Sequence, residues 1–391
     1  MNTLKSLSPL YFLFFISIIP HFDLIPGFIH TDDVPVLLFF VGAIYLFVKS
    51  KNFSLIIEKY MYFLFFIFYL IVQNLFVKGE FLHSEILRFG FYLLIFIFIS
   101  TFGQKNYINT FPYYLFLFLT SFSMISYLFS INLGKDIYET WNIGINLSDI
   151  DYIKGRTNGF QAGGPNSFAD LITITGVYSM FRMDKKYLQV IIPFSIVGCF
   201  FTYSRFSLLI LVLFIFLRIS IENKKSTGLL LLIGSLLICV NFGLVERFSQ
   251  DDNSGVQDRV EMQSGTLEFA ADDSLVNNIF GRGFDTFVVK GNQVLDSKNF
   301  DDNPFSYGPH NSYLFIFLNY GIIGLLLFIL IFKDLILNLV KFRDFKNYSP
   351  NLMAVIAFLV LSLSSDLLQN HSVSWFFYFS YFLYLNEKEN S

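Results

Sequence analysis

The sequence has little charge, little cysteine and little histidine for its length. Only 15% of the 391 residues are charged, and there are two cysteines and five histidines. Both cysteines, Cys199 and Cys239, lie inside apolar runs, which favours two small buried side chains over a disulfide framework. No basic face is present that would attract nucleic acid through its phosphates, so a nucleic-acid partner is not expected.

Apolar residues are abundant instead. They make up 54% of the chain, with 53 phenylalanines and a mean hydropathy of +0.57. Runs of about 15 to 21 apolar residues recur between short polar breaks, as in proteins with many transmembrane helices. The fold class is therefore predicted as all-α: a polytopic integral membrane protein with about 12 transmembrane helices, forming one membrane domain over residues 1–391. The candidate spans are about 8–20, 34–48, 60–77, 86–102, 111–131, 167–181, 187–203, 206–220, 228–244, 312–332, 352–368 and 372–385.

The distribution of lysine and arginine predicts the orientation. With the N-terminus inside, 16 of the 27 basic residues fall in cytoplasmic segments and ten in outer segments, which agrees with the positive-inside rule. Both termini are then cytoplasmic. Two long outer loops result, at about 132–166 and 245–311, and the larger one is expected to be helical and periplasmic.

Five cationic or titratable side chains are predicted to lie on this outer side. Arginines around an outer cavity suit a polyanion that is bound bidentately, such as a diphosphate. A histidine among them is suited to take a proton from a hydroxyl group. No carboxylate or histidine spacing indicates a metal site. The residues are Arg156, Arg205, Arg259, Arg282 and His310.

His310 and Asn311 open the apolar run at 312–332. Gly321 follows His310 by eleven residues, about three helical turns, so the two are predicted to share one helix face. Gly321 and Gly324 are expected to let a neighbouring helix approach closely on that face.

Simpler interpretations of the same residues exist. An arginine at a helix end often anchors the helix at the membrane interface, and a histidine at a helix start often serves as a cap. Asp366, Asn370 and His371, in the last outer turn, are expected to be solvated turn residues.

Four segments together resemble the O-antigen polymerase and ligase superfamily, which assembles bacterial surface polysaccharides. They are "RTNGFQAGGPNSFA", with Arg156 and Asn166; "SRFSLL", which contains Arg205 in an Arg-x3-Leu motif; "DRVEM", with Arg259; and "GRGFDTF" followed by "PHNSYLFIFLNYGIIG", which contains His310 in a His-x10-Gly motif. The resemblance covers the chain from about Arg156 to Phe332. Arg282 stands where the family pattern has a small apolar residue, and the aromatic residue that often follows Arg259 is missing.

The resemblance implies a glycosyltransferase of the bacterial inner membrane that needs no nucleotide sugar, cofactor or essential metal. Its donor would be an oligosaccharide linked to undecaprenyl diphosphate, and its other partners membrane lipid and a chain-length regulator protein. The implied catalytic residues are His310, Arg205 and Arg259. The implied substrate-binding residues are Arg156, Asn166, Arg282 and Asn311.

Three functions stay open from the sequence, beside a purely structural subunit of an assembly complex, which would leave the arginines unexplained. A polymerase would transfer the growing glycan to a sugar hydroxyl of a new lipid-linked repeat unit. A ligase would transfer the finished glycan to lipid A–core, and a flippase would move lipid-linked sugars across the membrane. The loop at 245–311 has twelve acidic and five basic residues, which would repel a phosphorylated lipid A–core acceptor and so favours the polymerase. Transporters tend to have internal repeats and ionisable groups near the midplane, whereas the polar residues here gather at one outer rim.

Overall fold

The structure is a computed structural model, and its described part is dominated by helices. An antiparallel pair of very short strands, β1 (Asp23–Ile25) and β2 (Ile29–His30), is the exception to the predicted all-α class within the described residues. The structure describes residues 23–25, 29–30, 60–79, 89–90, 92–93, 95, 106–129, 164–202, 204–221, 254–283, 309–340, 349–368 and 371–389. Predicted spans 8–20, 34–48 and 228–244, and most of loop 132–166, lie outside these ranges.

The described helices follow the apolar runs of the sequence. Eight predicted spans coincide wholly or in large part with a helix, and the large outer loop contributes two helices. In chain order the helices are α1 (Met61–Lys78), α2 (Asn106–Phe129), α3 (Gly164–Arg182), α4 (Lys185–Phe200), α5 (Arg205–Ile221), α6 (Ser254–Asp272), α7 (Leu275–Phe280), α8 (Ser312–Ile331), α9 (Lys333–Val340), α10 (Pro350–Leu361) and α11 (His371–Glu389).

Helix α3 is the centre of the packing, because it lies against α2, α4, α5 and α10. Two of its buried hydroxyl groups bond to the backbone of the helix itself. Thr175 Oγ1 donates to the Leu171 carbonyl at 2.7 Å, and Ser179 Oγ donates to the Thr175 carbonyl at 2.7 Å. Bonding to the preceding turn satisfies hydroxyl groups where water is absent. The helix can therefore be surrounded on all sides by other helices.

Helix α11 fills the core with aromatic rings. Phe377 stacks on Phe358 of α10 with ring centroids 3.8 Å apart, and Tyr378 stacks on Tyr92 at 4.2 Å. Trp375 is fully buried. Many aromatic residues thus pack between helices, where large rings contribute the most contact area.

Helix α8 is the described helix that is both long enough and apolar enough to cross a membrane, judged by length and composition. Shorter apolar helices cover Met61–Val77, Thr110–Ile125 and Pro350–Leu361. The count of twelve spans and the orientation remain predictions.

Helix α8 is broken at Gly321, which has φ 68° and ψ −174°. The prediction that His310 and Gly321 share a face of one continuous helix is therefore wrong. A Cβ at Gly321 would lie 2.2 Å from the Ile279 carbonyl oxygen, so the end of the short loop helix α7 makes the close approach there. Gly324 does face a helix, since a Cβ there would lie 3.3 Å from Tyr69 of α1.

The predicted span 352–368 is too long at its C-terminal end. Helix α10 ends at Leu361, and a turn follows. The turn is rich in serine, whose hydroxyl group competes with the helix for hydrogen bonds to nearby backbone groups. Ser362 Oγ donates to the Phe358 carbonyl at 2.9 Å and helps to end the helix. The turn at 362–368 then contacts the start of α8.

Candidate functional site

The start of α8 is fixed by its cap. Asn311 has extended backbone, and its Oδ1 accepts hydrogen bonds from the amides of Tyr313 and Leu314 at 3.0 and 3.1 Å. Its Nδ2 donates to the Leu363 carbonyl at 3.2 Å. Both ends of this side-chain amide therefore hold the backbone, so Asn311 fixes the geometry of the residue before it.

That residue, His310, has an unusual backbone. Its φ is 47°, and among the described residues it is the one residue other than glycine that has a positive φ. Such a conformation costs energy in an L-residue and persists only where the surroundings enforce it. Here one carboxylate enforces it by accepting hydrogen bonds from the backbone amides of both His310 and Asn311.

The carboxylate is Asp366, in the turn after α10. Its Oδ2 accepts from the His310 amide and its Oδ1 from the Asn311 amide, both at 3.1 Å. Its Oδ2 also lies 3.7 Å from His310 Nδ1, with side-chain exposures of 14% for the aspartate and 25% for the histidine. The distance suits an ion pair and is too long for a direct hydrogen bond. Because Nδ1 faces the carboxylate, Nε2 lies on the opposite side of the ring.

The expectation that Asp366 is a solvated turn residue is therefore wrong. It is mostly buried and joins two segments that are 56 residues apart. A cluster of serines and an aspartate interrupts the apolar run here, and this local pattern indicates a turn. The contact with His310 is long-range, and no local pattern encodes it. Asn370 and the side chain of His371 lie outside the described residues.

Ser312 adds a second connection between α8 and this turn. Its amide donates to the Ser362 carbonyl and its Oγ to the Ser365 carbonyl, both at 2.9 Å. The Leu368 amide donates to Ser312 Oγ at 3.4 Å. Ser312 thus fixes the turn at 362–368 against the start of α8, next to His310.

The loop helix α6 lies against the same turn. Gln263 Nε2 is 3.5 Å from the His310 carbonyl and 3.4 Å from the Leu363 carbonyl. Arg259 precedes Gln263 by four residues in α6, about one helical turn. Arg259 is therefore on the same face of α6 as Gln263. The side chain of Arg259 lies outside the described part of the chain. The predicted helical segment of the large loop is confirmed.

Arg205 and Asn166 begin two adjacent helices. Arg205 is the first residue of α5, and Asn166 is the third of α3. One turn into α3, the buried Asp170 accepts a hydrogen bond of 2.5 Å from Ser207 Oγ of α5. Ser207 Oγ is in turn 2.7 Å from Ser204 Oγ, at the residue before Arg205. This buried polar chain sets the register of the two helix starts.

These helix starts lie at the same end of the bundle as His310. At the opposite end, the last residue of α3, Arg182, interacts electrostatically with Glu387 of α11. Asn351, near the start of α10, donates to Glu387 at 2.8 Å. Helix α3 therefore ends and α10 begins near Glu387. The start of α3 and the end of α10 both lie at the end of the bundle that is far from Glu387. The end of α10 leads into the turn that holds His310.

Arg282 is placed differently. It is 5% exposed and lies against the middle of α8. Nε is 2.6 Å from Asp273 Oδ2, Nη2 is 3.1 Å from Asn278 Oδ1, and Nη1 is 3.2 Å from the Leu318 carbonyl. Burial favours the neutral form of Asp273, but hydrogen bonds from Asn277, Ser274 and Arg282 outweigh it and lower the pKa of this carboxyl. The guanidinium is thus engaged by the protein, away from the His310 turn. Arg156 lies outside the described residues.

Part of this site lies in a segment that matches a known family, although Asp366 and Asn166 lie outside the match. Residues 190–329 match the family model described as O-antigen ligase. The match contains Arg205, Arg259 and His310, and it confirms the resemblance to the O-antigen polymerase and ligase superfamily over that segment, which is less than half of the chain. It agrees with a membrane protein of surface-polysaccharide synthesis that acts on lipid-linked glycans. No curated protein matches the chain.

Proposed function

We propose that the protein is an O-antigen polymerase that transfers a growing glycan from undecaprenyl diphosphate to a sugar hydroxyl of a new lipid-linked repeat unit. The observation that carries the proposal is the pairing of His310 with Asp366. It lies at the bundle end where α3 and α5 begin, and α6 covers it. A histidine whose Nδ1 faces a mostly buried carboxylate and whose Nε2 points away is arranged as a general base.

The reaction needs one base and one stabilised leaving group. His310 Nε2 takes the proton from the acceptor hydroxyl, whose oxygen forms the new glycosidic bond to the anomeric carbon. The bond from that carbon to the diphosphate oxygen breaks, and its electron pair stays on the leaving diphosphate. Asp366 stabilises the positive charge that develops on the imidazole ring. Atoms and charge balance without a further reagent.

The leaving diphosphate gains charge as its bond breaks, so cations placed there stabilise the transition state more than the ground state. We assign this role to Arg205 and Arg259. Asn166, near the start of α3, and Arg156 would contact the glycan or the diphosphate beside them.

Two residues fit a positioning role better than direct contact with substrate. Asn311 uses its side-chain amide to cap α8 and to hold Leu363. Arg282 uses three guanidinium nitrogens to bind Asp273, Asn278 and Leu318. Each would act by holding the segment that carries a catalytic residue.

An O-antigen ligase is the second candidate, and the description of the matching family favours it directly. The charge of the large loop favours the polymerase, because a rim with more than twice as many acidic as basic residues disfavours the phosphorylated lipid A–core. A flippase would use the same outer arginines to bind a diphosphate but would need no base. A chain-length regulator as partner also remains a prediction.

Purified protein in proteoliposomes tests glycosyl transfer against flipping. The substrate is a fluorescent undecaprenyl-diphosphate repeat unit, and the readouts are glycan length and the accessibility of the label from each side. The proposal predicts longer glycans from the wild type and from Arg182→Ala, a matched arginine change at the opposite end, and elongation that is about 10²–10³-fold slower from Arg205→Ala. Transbilayer movement of the label without any change in glycan length would contradict it.

A further inference from the structure

Residues 281–283 of the large loop lie against the middle of α8 and not over its end. The Arg282 amide donates to the Leu318 carbonyl at 3.3 Å, and the Gly283 amide donates to the Asn319 carbonyl at 2.9 Å. These two carbonyls are released from the helical pattern by the break at Gly321. A Cβ at Gly281 would lie 2.2 Å from the Asn319 carbonyl oxygen, so two glycines allow the two backbones to touch.

The position of this contact along α8 gives its depth. Gly321 lies nine residues after Ser312 and ten before Ile331, about 14 Å from either end at 1.5 Å per residue. The hydrocarbon core of a membrane is about 30 Å thick. If α8 crosses the membrane, as its length and composition allow, the contact lies near the midplane.

Helix α1 gives the same depth independently. Tyr69 lies in the middle of Met61–Lys78. Its hydroxyl oxygen lies 2.8 Å from the Phe280 carbonyl oxygen and 2.9 Å from the Tyr320 carbonyl oxygen, and its one hydrogen is shared between these two acceptors. Gln73, one turn further, donates to the Phe280 carbonyl at 3.1 Å and to the Asn319 carbonyl at 2.8 Å. Two apolar helices thus hold the loop segment at their midpoints.

Irregular backbone at this depth is tolerated only where its polar groups have partners. The Phe280 carbonyl accepts from Gln73, and the amides of Gly281, Arg282 and Gly283 donate to carbonyls. The Arg282 guanidinium is paired with Asp273, as expected for a charge that has left water.

In α7 the apolar side chains are exposed and the polar side chains face protein, which is the opposite of a helix in water. Leu275, Val276 and Phe280 are 74%, 64% and 48% exposed. The two asparagines between them face protein, since Asn277 Nδ2 donates to Asp273 Oδ1 at 2.9 Å and Asn278 Nδ2 donates to the Ala270 carbonyl at 2.7 Å. Apolar groups outside and polar groups inside are the arrangement of a surface in hydrocarbon.

We infer that residues 275–283 form a re-entrant segment of the membrane domain, and that Leu275, Val276 and Phe280 contact the acyl chains of the bilayer. The expected periplasmic loop 245–311 then enters the membrane before it reaches His310. The segment ties the loop helix α6 to the broken part of α8. This inference concerns the position of the segment, so it stands or falls independently of the reaction that the protein catalyses.

The test is spin-label accessibility in a background that lacks Cys199 and Cys239. A nitroxide is attached at Val276→Cys, and separately at Leu275→Cys, with Glu268→Cys on the exposed part of α6 as the matched water-facing control. The protein is reconstituted in vesicles of phosphatidylethanolamine and phosphatidylglycerol that contain no polyprenyl lipid. Power saturation then measures collision of the label with oxygen and with a water-soluble nickel chelate.

Labels at residues 275 and 276 are expected to collide several-fold more with oxygen than with the nickel chelate, and the label at residue 268 is expected to show the reverse. Nickel accessibility at residue 276 equal to that at residue 268 would overturn the inference. Low collision with both reagents at residues 275 and 276 would also overturn it, because protein, and not bilayer lipid, would then cover this surface.

Discussion

Replacing Asp366 with asparagine removes one charge and one acceptor while keeping the shape of the side chain. The carboxylate accepts from the amides of His310 and Asn311 and lies 3.7 Å from His310 Nδ1. An asparagine can accept from one amide, but its NH2 group would face the other amide as a second donor. The variant therefore loosens the His310 backbone and removes the negative charge beside the ring.

The magnitude follows from the distance. Two unit charges 3.7 Å apart interact by about 4 kcal/mol at an effective dielectric constant of ~20. The partial exposure of both side chains reduces this, so a loss of about 2–3 kcal/mol from the transition state is expected, or ~10²-fold in kcat. Because the charge on the ring develops in the transition state, KM is expected to change much less.

The assay measures kcat and KM for polymerisation by the purified Asp366→Asn variant, with Asp334→Asn, an exposed aspartate beyond the other end of α8, as the matched control. A structural defect is separated from loss of the base by a double-mutant cycle. If Asp366 acts through His310, adding Asp366→Asn to His310→Gln costs little more. Activity of Asp366→Asn above a third of wild type, or fully additive losses in the double variant, would refute the reasoning.

Three further predictions use other parts of the structure. Arg205→Ala is expected to lower kcat by about 10²–10³-fold, with partial rescue in Arg205→Lys, which keeps the charge without the bidentate fork; equal activity of all three forms would reassign this residue to interface anchoring. Gly321→Ala is expected to lower the melting temperature in detergent far more than Gly79→Ala, because both glycines have positive φ but only the first has backbone within 3 Å of the added Cβ; equal shifts would show that strain alone matters. An impermeant maleimide is expected to label Glu268→Cys but not Lys186→Cys in intact cells, and the reverse result would invert the topology.

The helices were predictable because their signal is local. Apolar runs of sufficient length are visible in any window of the sequence, and the helices α1 to α5, α8 and α11 appear where such runs occur. The cap role of Asn311 was not predicted, although asparagine before an apolar run is a common helix start; capping was considered for His310, and Asn311 was predicted to bind substrate. Arg205 and His310 were singled out because a charged residue at the end of an apolar run stands out.

What the sequence did not predict depends on contacts between distant segments. Asp366 lies among serines in a turn, and only folding brings it to the amide of His310. The break at Gly321 is equally hidden, because a glycine in an apolar run resembles a packing glycine until a second backbone is found against it. The partners of Arg282 come from three elements, so its pairing could not be inferred from an acidic loop that offers twelve carboxylates.

The most direct test of the proposed polymerase is the product formed by the purified protein from undecaprenyl-diphosphate repeat units as the sole glycan substrate. The products are separated by size, with His310→Gln as the inactive control, and a parallel reaction contains lipid A–core. The account predicts a ladder of lengthening lipid-linked glycans whether or not lipid A–core is present. No ladder, together with a glycan joined to lipid A–core in the parallel reaction, would contradict it and identify a ligase.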